Sequence, residues 1–141
     1  MFKRFFRGIR LRRADRLARE LVVPLRRGLA PFKDEDGEVI SDIRDDDFVL
    51  TYIFGAVLGS IESAGKKADP EFAGMVLRQT LEYLFGNGQE RAELCAALAR
   101  RGEEDFSCGV AIGYADVREF KKSRVAYPTG LIEHLRVYGG A

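Results

Sequence analysis

The run from Phe48 to Ile61 constrains this chain more than any other feature: fourteen residues without a formal charge, closed by Asp47 and Glu62. Spanning a bilayer takes about 20 consecutive apolar residues, so protein rather than lipid must cover a segment of this length. It predicts a core helix over roughly residues 46–63, apolar on nearly every face, with the rest of the chain arranged around it. Gly55 and Gly59 lie four apart inside it, near Ser60 and Ser63, and predict a smooth groove where a second helix comes close. Each glycine costs about 1 kcal/mol against alanine in a helix interior, so close packing must offset the loss. Packing inside the domain is the leading reading, and the seam of a homodimer is the other.

Further helices follow from the same logic of stripe and cap. Ala14, Leu17, Ala18, Leu21, Val22 and Leu25 form one apolar stripe, supported by Asp15 and Arg19 four residues apart. Pro24 lacks the N–H that a helix interior needs, which predicts an end near Val22 or a kink. Asp69-Pro70-Glu71 is a helix start, and Phe72 to Phe85 leaves only a narrow polar strip. Gly86-Asn87-Gly88 stops that helix; Asn87, with Glu90 three residues on, then predicts a capping box for an alanine-rich outer helix ending at Arg100-Arg101-Gly102. Phe106, Val110, Tyr114, Val117 and Phe120 keep helical spacing. Cys108 to Tyr114 also reads as a short buried strand, but no second strand is there to pair with it, and a helix is preferred. Pro128-Thr129 opens a last short helix through Leu131, Ile132, Leu135 and Tyr138, closed by Gly139 and Gly140. The expected fold is all-α: one compact bundle of five to six helices over residues 14–141, preceded by a basic amphipathic arm at residues 1–13. A length of 141 residues suits one such domain.

Charge is where the chain departs from an ordinary helical domain. The net charge of +1 hides a separation: residues 1–27 carry +8, residues 28–47 carry −6, and the remainder carries −1. Near-neutrality excludes a uniformly basic nucleic-acid binder and leaves a localised basic surface open. The first thirteen residues hold Lys3, Arg4, Arg7, Arg10, Arg12 and Arg13 and no acid. Among them, Phe2, Phe5, Phe6 and Ile9 share one helical face by spacings of three and four, with Leu11 off that line. Cations with bulky aromatics between them are the pattern of a helix lying in a membrane interface. A secretory signal is not indicated, because arginines interrupt any apolar stretch after the basic start. A mitochondrial presequence would share the arginines but also be serine-rich, and no serine precedes Ser41.

Residues 33–47 read as an acidic loop with a turn at Asp36-Gly37. Asp34, Asp36 and Gly37 resemble the middle of a calcium loop, but placing Gly37 at the sixth position puts Phe32 first and Ile43 last, where carboxylates are required. The loop could also pair with the basic arm, within one chain or between two.

No motif for catalysis or a cofactor emerges, and none is expected. His134 is the sole histidine, which excludes the usual helical zinc and di-iron sets. Cys95 and Cys108 are too far apart for a Cys-x-x-Cys motif and read as core thiols, with no disulfide framework. Gly109 to Gly113 lacks the lysine of a phosphate loop. Glu62 and Glu82 are the acids embedded among apolar helix positions, and would serve as an acid/base pair only if they faced one cavity.

The leading functional expectation is therefore a non-enzymatic interaction protein, cytoplasmic and peripheral to a membrane, whose arm docks on an anionic membrane surface or an acidic protein partner. Its contact residues would be Phe2, Lys3, Arg4, Phe5, Phe6, Arg7, Ile9, Arg10, Arg12 and Arg13. A nucleic-acid-binding regulator is the second reading, and a small enzyme or metal protein using buried carboxylates the third.

Overall fold

Apolar stripes orient the long helices, and side-chain caps start two of them. A computed structural model describes residues 2–123, and the expected helix at 128–138 with His134 lies outside the described residues. Six α-helices occupy that span: α1 (Phe2–Leu29), α2 (Ser41–Arg44), α3 (Asp47–Ser63), α4 (Pro70–Phe85), α5 (Gly88–Arg101) and α6 (Glu104–Ser123). There is no strand among the described residues, and positions 107–115 are helical. The helices pack together as one all-α bundle.

Capping sets two of the starts. The Asp46 carboxylate accepts a hydrogen bond from the Val49 N–H at 3.1 Å and opens α3; Asp69 accepts from the Phe72 N–H at 2.9 Å and opens α4. The start of α5 departs from expectation. Asn87 takes a left-handed conformation, φ 54°, and its side chain caps nothing. Instead Glu82, in the last turn of α4, accepts the Gly88 N–H at 2.6 Å. With Gly86 also at positive φ, the chain reverses too sharply for an Asn87–Glu90 box, and the preceding helix supplies the acceptor.

Pro24 does not end α1, which continues to Leu29. A proline in a helix interior costs about 3 kcal/mol. Leu21, Val22, Leu25 and Leu29 are each no more than 3% exposed on the same side of that helix. Burying one such side chain is worth about 1.5–3 kcal/mol, so the packed face outweighs the lost hydrogen bond. The helix runs without a break between residues 13 and 14. α1 and α4 point the same way: Arg10 meets Asp69 at the start of α4, and Arg26 donates to the Tyr83 carbonyl near its end.

α3 and α6 form the closest crossing. A Cβ added to Gly55 would fall 2.0 Å from the Val110 carbonyl oxygen, and one on Gly113 would fall 2.0 Å from that of Tyr52. Gly59 backs onto Tyr114 and Gly109 onto Thr51. Glycines four apart on both helices therefore let the two backbones touch. Cys108 is exposed, contrary to the expected core thiol, because Gly109 and Gly113 are the α6 residues turned toward α3.

Part of the acidic segment is structured. The Asp34 N–H donates to the Glu38 carbonyl at 2.7 Å and the Ile40 N–H to the Phe32 carbonyl at 3.0 Å, making a small hairpin around Gly37. The Asp34 carboxylate is used internally, accepting the N–H groups of Asp36 and Glu38. Val39 and Ile43, each no more than 8% exposed, fasten the hairpin and α2 to the core.

Candidate functional site

The arginines of α1 divide into two sets that the sequence leaves mixed. Those beside α4 are used in packing. Arg10 donates through one nitrogen, Nη2, to both Asp69 oxygens at 2.7 and 2.8 Å, approaches Glu71 at 3.6 Å and lies over the Phe72 ring. The Phe72 N–H, and then Arg10, hold the Asp69 carboxyl below its ordinary range. Arg19 bonds Asp15 at 2.8 Å and stacks over Tyr83, whose hydroxyl donates to Asp15. Arg26 donates to the Tyr83 carbonyl at 2.9 Å, satisfying one of the open acceptors at the end of α4.

The second set is not used by the bundle. Arg4, Arg7, Arg12, Arg13 and Arg16 are exposed, and among the described residues none has a carboxylate partner. Arg12 reaches only the Gly8 carbonyl of its own helix, at 3.4 Å. Phe6 is 59% exposed, and Ile9 borders a shallow depression with Arg12, Arg13 and Arg16. Phe2, Lys3 and Phe5 belong to the first turns of the same helix, which has no acid in its first turn.

Two electrostatic effects act against this arrangement in the isolated chain. Like charges three and four residues apart on a helix repel by about 0.2–0.5 kcal/mol per pair. The N-terminal end of a helix also carries a partial positive charge, which disfavours cations there by a similar amount. A negatively charged surface laid along this face relieves both.

The acidic segment leaves this face open where its ion pair can be traced. Asp45 pairs at 2.8 Å with Arg91 of α5, a side chain only 10% exposed. Arg91 also donates to the carbonyls of Gly86 and Arg44 and lies over Phe85, tying the start of α5 to the start of α3. An arginine near the start of an alanine-rich helix gives no hint of this role in the sequence.

Other candidate chemistry is dispersed. Glu62 and Glu82 are both exposed rather than buried, and Glu82 is committed to Gly88. Asp46, Asp47, Glu103 and Asp105 surround an open cleft of about 580 Å³. Among the described residues no group of three or more His, Cys, Asp or Glu is placed to hold a metal ion. An apolar cleft of about 410 Å³ lies between α4 and α5, bordered by Ala73, Leu77, Ala96 and Phe106. Cys95 lines it, and burial pushes its thiol up to about 11, so it stays protonated near neutrality. No described helix is long and apolar enough to cross a membrane. No protein-family model, curated protein or solved structure matches the chain.

Proposed function

We propose that this chain is a peripheral docking protein, and that the outward face of the N-terminal half of α1 binds an anionic membrane surface. The observation that carries the reading is the division of the arginines. Arg10 and Arg19 are consumed by carboxylates of the bundle, whereas Arg4, Arg7, Arg12, Arg13 and Arg16 are exposed with no carboxylate partner among the described residues. Phe6 and Ile9 lie on the same stretch, with Phe2 and Phe5 in helical register by sequence. Aromatic groups interleaved with cations favour a lipid interface, where rings enter below the headgroups while guanidinium groups stay among the phosphates. Arg10, counted with this surface in the sequence, instead holds α1 to α4.

Co-sedimentation with vesicles tests the reading. Full-length protein should bind vesicles containing anionic lipid and not neutral ones, with binding falling as salt rises. Each arginine near an anionic leaflet contributes about 1 kcal/mol. Changing Arg13 and Arg16 together to glutamine should therefore weaken binding roughly thirty-fold. Equal binding to neutral and anionic vesicles, or no response to the double substitution, would refute the proposal.

A further inference from the structure

A second basic feature lies at the other end of α1, about 21 Å along the helix from Arg12 at 1.5 Å per residue. It is a cleft of about 400 Å³ between the end of α1, the hairpin around Gly37 and the end of α4. Arg26, Lys33 and Arg44 line it, and Glu38 is the only acid among its lining residues. The wall also includes Leu29, Val39 and Phe85, so the cleft is cationic along one part and apolar along another.

Cations at the ends of α1 and α4 have an ordinary use, which is to satisfy the open carbonyls there. That use is already assigned. Arg26 takes the Tyr83 carbonyl, Arg91 takes that of Gly86, and the Gly86 N–H takes that of Glu82. Arg44 is not needed for it. Its Nε is buried and has no hydrogen-bond partner, the one such side-chain atom among the described residues. A buried charged donor without an acceptor is unfavourable, and among the described residues no carboxylate pairs with the Arg44 guanidinium. Lys33 is exposed at its edge and enters no ion pair among the described residues.

We infer that this cleft binds a phosphate monoester. Three cations against one carboxylate leave an excess of two positive charges, and a phosphate monoester carries about −1.5 to −2 at neutral pH. Its oxygens supply acceptors for the Arg44 fork, the Lys33 ammonium and the remaining donors of Arg26. The organic group then lies against Leu29, Val39 and Phe85. A lone carboxylate would leave part of the charge unmatched. The site is independent of the outer face of α1, since it uses none of the same residues.

Calorimetric titration of the full chain at pH 7.5 tests it, with inorganic phosphate and phenyl phosphate as probes and sodium chloride at matched ionic strength as control. Saturable binding of phenyl phosphate, tighter than that of inorganic phosphate, is expected. Lys33→Gln and Arg44→Gln should each weaken it about ten-fold, the effect of one charge-assisted hydrogen bond. Arg13→Gln should leave it unchanged. Lys33 is exposed, so its variant remains a fair test even if Arg44→Gln perturbs folding. Vesicles containing phosphatidic acid form a further arm: competition with phenyl phosphate identifies a lipid headgroup as the source, and its absence identifies a soluble ester. Titrations that do not saturate, or that respond equally to Arg13→Gln and Lys33→Gln, would overturn the inference.

Discussion

Four glycines govern how closely two helices can approach, and their replacements should not be equivalent. At Gly113 a methyl group would meet the Tyr52 carbonyl oxygen 2.0 Å away, a backbone atom that cannot swing aside. At Gly109 the nearest atom is the Thr51 side-chain hydroxyl, which a rotation of that side chain would move at the cost of its hydrogen bond to the Phe48 carbonyl. Gly113→Ala should therefore destabilise the protein by about 3 kcal/mol, the upper part of the range for overpacking, and Gly109→Ala by less. Gly74 is the contrast: it sits in α4 with nothing within 4 Å of an added Cβ, so Gly74→Ala should add about 0.5–1 kcal/mol of stability. Denaturant unfolding of the three variants gives the order, and a Gly113→Ala protein as stable as the parent would show that the helices can separate at little cost. Gly55 and Gly59 stand out in the sequence by their spacing alone. Gly109 and Gly113 have the same spacing, but beside Cys108 and Ile112 they also fit a short buried strand, and the preference for a helix rests on the lack of a second strand. Only the fold pairs the two sets.

Among the elements, the junction between α4 and α5 shows how a cap can be misassigned. The residues Asn87 and Glu90 have the right types at the right interval, but the backbone at Asn87 is left-handed and the box does not form. The acceptor is Glu82, six residues before the amide it receives. Glu82→Ala should cost about 1 kcal/mol, as for other lost N-caps, while Glu90→Ala should stay within about 0.5 kcal/mol, as for ordinary surface changes. Thermal unfolding of both variants separates the two assignments, and a larger loss at Glu90 would restore the capping box. The passage of α1 through Pro24 has a similar origin. Local chemistry at Pro24 opposes a helix, and the buried leucines on either side decide otherwise. In both places the sequence announces a local preference whose outcome depends on what the neighbouring helix offers.

For the whole molecule, stability against pH reports how the core is closed. The Cys95 thiol is raised from 9.0 to about 11 by burial. A thiol in the unfolded chain ionises first, so its contribution is fully present below about pH 9 and declines as pH rises toward 11. A two-unit difference corresponds to roughly 2–3 kcal/mol. Comparing the chain with Cys95→Ala by denaturant unfolding across that window isolates the effect, because the other titrating groups are shared. A difference between the two proteins that does not change with pH would count against a buried, protonated thiol. Near neutral pH, thiol-specific reagents should modify Cys108 quickly and Cys95 only on unfolding.

By itself the sequence determined that this is a helical protein, where most helices begin, and that its cations are concentrated at one end. Those properties follow from period, capping residues and composition, all of which act over a few neighbouring positions. The tertiary structure decided which arginines of α1 are used by the bundle and which remain outside it. Arg10 and Arg13 cannot be told apart along the chain; Asp69, fifty-nine residues from Arg10, is what separates them. It also joined Arg26, Lys33 and Arg44 from three separate segments around one cleft. Charge is written locally, but whether a charge is satisfied depends on partners distant in sequence, and only the packing of the helices brings those partners within reach.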